Sequence, residues 1–206
     1  MSFPDHPFPS AGAYVAGYRD EIARAWASVD LAAFDCAAAL LKTAIAAGRV
    51  VYACGNGGSA AISNHLLCDV LKGAQTDTGM RPRVVSLAAH LELITAIAND
   101  IAYDEVFLYQ LRTMAAPGDL LITISSSGNS ENIVRAVGWA RENGVGSISM
   151  TGFAGGRSAG LADVNLHVAA ENYGIVEDIH QSMMHCLAQY LRQSAMPFDL
   201  VARRVF

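Results

Sequence analysis

The spacing of apolar residues changes period several times along the chain. From about residue 11 to 47 they recur every three or four positions and are rich in alanine, which predicts two helices. Residues 49–54 then form a β-branched run that ends in Gly-Asn-Gly-Gly, the pattern of a strand entering a tight loop. Similar runs follow at 83–87, 119–124, 146–150 and 164–168. Between them lie helical stretches at 60–72, 91–98, 105–114 and 131–142, and a long one at 175–193 closes the series. Strands that alternate with helices predict a central parallel sheet covered on both faces. The expected organisation is an α/β three-layer sandwich over 49–194, a helical element over 1–48, and a tail over 195–206. That tail, "MPFDLVARRVF" from residue 196, is apolar with two arginines and suits packing on a partner subunit.

Bulk composition narrows the class. With 52% hydrophobic and 16% charged residues in 206, the chain can bury a sizeable core, so disorder is disfavoured. A net charge of −5 without any Lys/Arg block argues against nucleic acid as a partner. No apolar run has the length of a membrane span, and the N-terminus lacks a signal layout. Cys36, Cys54, Cys68 and Cys186 form no CxxC pair, and each sits in an apolar stretch. They read as buried, reduced thiols in a cytoplasmic protein.

Two strand-to-helix junctions carry unusual chemistry. "CGNGGSAA" (54–61) follows the first strand, and "SSSGNSEN" (125–132) follows the third. At such junctions free backbone N–H groups and the helix dipole favour an anion. Glycine permits close approach, and serine hydroxyls suit phosphate oxygens. One loop alone is explained by ordinary capping. Three consecutive serines exceed what a cap needs, and two such loops on one sheet edge fit one crevice. Neither is a dinucleotide or Walker fingerprint, so the expected ligand is a phosphorylated small molecule. Asn56, Gly57, Gly58 and Ser59 from the first loop, and Ser125, Ser126, Ser127 and Ser130 from the second, are its candidate contacts.

Helical spacing also aligns polar side chains. His65 and Asp69 are four residues apart, and Glu177, Gln181 and His185 form a stripe at i, i+4 and i+8. Asp178 and His180 point elsewhere. A lone helical histidine is usually structural, but two helices here each pair a histidine with a carboxylate. If they meet, His65, Asp69, Glu177 and His185 suit zinc or another divalent cation. Met183 and Met184 read as core. Asp104 is a possible helix cap, and Arg157, in a Gly-rich turn, could reach an anion.

"GNGGSA", "ITISSSGNSENI" and "SMTGFAGGRSAGLADVNLHV" resemble the SIS (sugar isomerase) domain. With "AIAND" (96–100) and "EDIHQSMMH" (177–185), they resemble its bacterial phosphoheptose isomerase group in particular. The resemblance implies a flavodoxin-like sandwich with extra N-terminal helices, a homotetramer, and interface sites for a sugar phosphate. It assigns metal binding to His65 and His185, with Asp69 where the group usually has Glu and Glu177 where it usually has Gln. It makes Asp69 the general base and His185 the general acid of an aldose–ketose isomerisation through an enediol, and it places Asn99 and Asp100 on the substrate. The strongest expectation is sedoheptulose 7-phosphate to D-glycero-D-manno-heptose 7-phosphate. The competing reading is a non-catalytic SIS module of the DnaA-binding type. That relative lacks the carboxylate on the first helix and the second histidine of the last, whereas this chain has Asp69 and His185. A third reading, a sugar-phosphate-sensing regulator, lacks any attached DNA-reading element.

Overall fold

Burial on both faces of the central strands explains the architecture of the computed structural model, which describes residues 3–206. Strands β1 (Val50–Gly55), β2 (Arg83–Ser86), β3 (Leu120–Ser125), β4 (Gly146–Thr151) and β5 (Val164–His167) form one parallel sheet in the order β2-β1-β3-β4-β5. Val51, Ala53, Leu120, Ile122 and Ile124 face one apolar layer, while Tyr52, Cys54 and Leu121 face the other. A strand buried on both faces has no polar side to show, so it reads as a continuous apolar run.

The first layer consists of α1 (Ala11–Ala27), α2 (Leu31–Ala46), α3 (Gly58–Cys68) and α8 (Tyr173–Ala195). Asp30 caps α2 by accepting from the backbone N–H groups of Ala32 and Ala33. The second layer consists of α4 (Leu91–Asp100), α5 (Leu108–Met114) and α6 (Glu131–Glu142). Two short helices not foreseen from the spacing, α7 (Gly156–Leu161) and α9 (Phe198–Val201), complete the chain. Along α8 the stripe Ile175, Val176, Ile179, Met183, Met184, Leu187 and Leu191 is buried, so both methionines do lie in the core. No helix among the described residues is long and apolar enough to cross a membrane.

Several local expectations need correction. Only Cys54 is buried; Cys36, Cys68 and Cys186 are exposed, although all four are free thiols. Amphipathic helices place some apolar-flanked positions at the solvent edge, which flanking composition cannot reveal. Asp104 does not cap a helix: it lies inside a 3-10 turn (Tyr103–Glu105) that begins after Ala102. The tail, whose expected packing on a partner subunit is a separate matter, also makes contacts within its own chain. Arg192 on α8 donates to the Val205 carbonyl at 3.0 Å, stacks on the Phe206 ring at 4.7 Å, and shares Asp77 with Arg204.

Candidate active site

The strand order decides where the site lies. β1 and β3 are neighbours in the sheet although β2 intervenes in the chain, so the direction of winding reverses between them. A crevice opens outside the carboxyl ends of the strands at such a switch point. The loops after β1 and β3 are the two singled out by their glycines and serines, and a pair of asparagines joins them. Asn56 and Asn132 exchange side-chain hydrogen bonds at 2.9 and 3.0 Å, and Tyr103 donates to Asn56 at 2.9 Å. Asn56 is thereby a strut between loops. Asn132, 1% exposed, is its unforeseen partner; a lone Asn at the second position of a helix carries no signal of it.

The loop after β3 is built around its own hydroxyls. Gly128 N donates to Ser125 Oγ at 3.2 Å, and Asn129 N donates to Ser127 Oγ at 3.2 Å. Both hydroxyls accept there and keep their hydrogens for another oxygen. Ser126 Oγ is buried with no protein partner, and Ser130 opens α6 without using its side chain as a cap. Gly128 has φ of +63°, and a Cβ there would overlap the Gly155 carbonyl. The loop is packed backbone to backbone. Arg157 secures it from outside, donating to the Asn129 carbonyl at 3.0 Å and to Glu131 at 2.8 Å. Its guanidinium is thus already engaged with a carboxylate. The neighbouring Arg135 and Arg157 hold the Glu131 carboxyl below its ordinary range.

Ser59, Ser125, Ser126, Ser127 and Ser130 line one cavity of about 130 Å³ together with Asn56, Ile124, Tyr173 and Glu177. Ligand pockets usually enclose roughly 300–1,000 Å³, so this hollow accommodates a phosphate-sized group with the rest of the ligand extending out of it. Tyr173 was not anticipated; a tyrosine at the start of a helix has no distinguishing pattern. Glu177 enters from α8 and lies so close to the start of α3 that a Cβ on Gly58 would collide with its carboxylate.

The polar stripe of α8 leads away from this cavity. Eight residues separate Glu177 from His185, about 12 Å along a helix axis. At the far end the two helices meet. His65 Nε2 lies 3.3 Å from Asp69 Oδ1, and His185 Nε2 lies 3.5 Å from Asp69 Oδ2. The imidazole rings stand edge to face with centroids 5.0 Å apart. One ligand atom from each of His65, Asp69 and His185 falls within 4.8 Å of the others, a donor set of two imidazoles and a carboxylate that fits a divalent ion such as zinc. Helical spacing stacks His65 on Asp69, and directly afterwards α3 relaxes into a π turn, Asp69–Gly73, closed by Ala74 N donating to the Asp69 carbonyl at 2.9 Å. Such turns recur at functional sites.

Not every candidate joins this arrangement. Glu177, expected as a fourth ligand, lies outside the His–Asp–His cluster and lines the serine cavity instead. Gln181 occupies the intervening turn, its amide nitrogen donating to His65 Nδ1 and His185 Nε2 at 3.0 Å each. Asn99 and Asp100 end α4 exposed, with Asn99 donating to Asp100 at 2.8 Å, and line neither the cavity nor the cluster. Asp178 and His180 do point elsewhere. Asp178 accepts from Tyr18 at 2.7 Å. His180 is fully buried behind the site with no protein hydrogen bond to either ring nitrogen, and burial pushes its pKa down to about 4.

Comparison with known proteins agrees with the fold. The family model of the SIS domain matches residues 17–152. The chain is 34% identical over 166 residues to a phosphoheptose isomerase of Shewanella denitrificans, covering 79% of this chain and 84% of that one. It is 39% identical over 145 residues to a phosphoheptose isomerase of Nitratidesulfovibrio vulgaris, covering 70% and 69%. The structure of phosphoheptose isomerase GmhA from Neisseria gonorrhoeae superposes with a TM-score of 0.79 at 30% identity, covering 87% of this chain and 95% of that one. A match over most of the chain, in sequence and in shape, places it: the protein belongs to the SIS-domain family, within its phosphoheptose isomerase group of enzymes.

Proposed function

We propose that the chain interconverts a phosphorylated ketose and its aldose, with sedoheptulose 7-phosphate and D-glycero-D-manno-heptose 7-phosphate as the pair. One observation carries the reading: a single stripe of α8 joins a cavity lined by five serines, at Glu177, to an imidazole–carboxylate–imidazole cluster, at His185. Their spacing is on the scale of an extended sugar phosphate. The serine hydroxyls and the N-termini of α3 and α6 hold the phosphate. Glu177 accepts hydrogen bonds from hydroxyls of the sugar where the chain leaves the cavity.

The reaction moves a proton between C1 and C2 through an enediol, and it needs a base at carbon and an acid at oxygen. Asp69 takes the proton from one carbon and returns it to the other. His185 carries the proton between the two oxygens. A divalent ion held by His65, Asp69 and His185 would add positive charge that lowers the energy of an oxyanion. The relatives' names support the substrate class. Asn99 and Asp100, which line neither the cavity nor the cluster within one chain, fit a role in a neighbouring subunit's site, as in a homotetramer of a cytoplasmic enzyme.

Proton exchange tests the reaction. Purified chain incubated with sedoheptulose 7-phosphate in deuterated water is expected to incorporate deuterium at C1, read by NMR, and unphosphorylated sedoheptulose is expected to exchange far more slowly. Absence of exchange with every phosphoketose tried, with and without zinc, would overturn the proposal.

A further inference from the structure

We propose that the ring of Tyr173 restricts the site to a terminal phosphomonoester and shuts out a phosphate that carries a second ester group. The inference rests on the phosphosugar reading above and concerns the end of the ligand that does not react. Tyr173 opens α8, and with Glu177, Gln181 and His185 it continues one stripe at a spacing of four. The order along that stripe sets the order along the ligand. The reacting carbons lie at the histidine end, the sugar passes Glu177, and the phosphate sits among the serines. Tyr173 walls the same cavity and stands about 6 Å beyond Glu177 by helical rise, on the side away from the reaction. Ser59, Ser125 and Ser126 are buried, whereas Tyr173, at 62% exposure, is the one exposed residue among the described residues that line the cavity. The serines therefore form the floor and the tyrosine stands at the rim. A monoester has nothing to place there, whereas a diester must lead its second substituent out past the ring.

The ring is braced at that rim. It rests on Phe153, with centroids 4.8 Å apart and planes inclined at 56°. Phe153 has φ of +50°, uncommon for a bulky residue, and its N–H donates to the Ala170 carbonyl at 2.9 Å. A residue other than glycine keeps such a conformation only where its surroundings fix it, and these positions recur at ligand clamps. The turn that carries Tyr173 is fixed as well. Asn172 caps α8 by accepting from Ile175 N at 3.1 Å, and its amide donates to the Phe3 carbonyl at 2.8 Å. Tyr18 packs so tightly on Gly174 that a Cβ there would stand 3.0 Å from its hydroxyl, which donates to Asp178 at 2.7 Å. A ring held this way rejects a ligand by collision, because it does not swing aside as a free surface side chain does.

Calorimetry on the full-length chain tests the role without reference to turnover, using sedoheptulose 7-phosphate and its methyl diester, in which one phosphate oxygen carries a methyl group. The parent is expected to bind the diester roughly 100-fold more weakly, from collision and lost charge together. Tyr173→Ala is expected to bind the monoester within about threefold of the parent and to narrow the gap between the ligands about tenfold, the low end of what one carbon counts for in an enzyme pocket. Tyr173→Phe, which keeps the ring, is expected to discriminate as the parent does. The charge lost in the diester is the same for all three proteins, so the change in the gap reports on the ring alone. Circular dichroism and a melting curve check that each variant is folded, and Tyr173→Leu takes the place of Tyr173→Ala if the latter is not. An unchanged gap in the folded truncation, an equal narrowing in Tyr173→Phe, or a parent that binds both ligands alike would overturn the role of the ring and leave the phosphosugar reading intact. A parent chain that binds neither ligand would overturn both.

Discussion

Asp69 sits between two imidazoles, and each of its carboxylate oxygens faces one of them. A base in such a place has little freedom to move, so its reach is set by its own length. Aspartate is one methylene shorter than the glutamate that the related isomerases usually carry there. Replacing Asp69 by Asn keeps the shape and removes the base. Turnover of sedoheptulose 7-phosphate is expected to fall by about 10²–10⁴-fold, the usual contribution of general acid–base catalysis, with a smaller change in KM. Steady-state kinetics check this, and a variant that retains more than a third of parental kcat would remove Asp69 from the role of base.

Two glycines separate element packing from site geometry. At Gly128 the positive φ and the nearby Gly155 carbonyl leave no room for a side chain, and neither backbone can retreat. Gly128→Ala is expected to cost about 2–4 kcal/mol of stability, in the range for strained backbone positions with a steric clash. Chemical denaturation measures it, and a loss below 0.5 kcal/mol would contradict the packing described. At Gly58 the obstacle is the end of a flexible glutamate, which can swing away at little cost. Gly58→Ala is therefore expected to fold almost as stably as the parent, within about 1 kcal/mol. Its displaced Glu177 should raise KM for the phosphosugar several-fold while inorganic phosphate still competes. An unchanged KM would mean that Glu177 does not meet the sugar.

For the whole molecule, the buried His180 ties folding to pH. Its ring lies in the core layer near Thr151 and His167, and burial lowers its pKa to about 4 while leaving the unfolded value near 6.5. Between these values the unfolded chain binds a proton that the folded chain does not, so stability falls as pH drops from 6.5 to 4. The difference corresponds to roughly 3 kcal/mol from this residue. His180→Leu, which fills a similar volume and has no polar atom to leave unpaired, is expected to flatten the decline without loss of stability at pH 7. Denaturation midpoints at pH 7, 6 and 5 measure the difference, and parallel slopes for the two proteins would exclude His180 as the cause. His167 is depressed in the same direction by its own burial and keeps part of the slope in the variant.

Much of this was legible along the chain because it depends on local periodicity. β1 and β3 announce themselves as apolar runs because both of their faces are covered, and the serine loop by three hydroxyls where a cap needs one. Spacing of four alone stacks His65 on Asp69, and spacing of four aligns Glu177, Gln181 and His185. What periodicity cannot supply is the register between elements distant in sequence. A stripe on α8 has no stated height relative to α3 until both pack on the sheet, so Glu177 and Gln181 were equivalent until packing set the first against Gly58 and the second between the histidines. The Asn56–Asn132 strut exists only because β1 and β3 are neighbours, which no local pattern encodes. The residue types and their helical faces therefore belong to the sequence itself. The partners of Glu177, Gln181, Asn99 and Asp100 were decided by tertiary structure, since contact requires a distance across the sheet edge and spacing along a chain specifies only a direction.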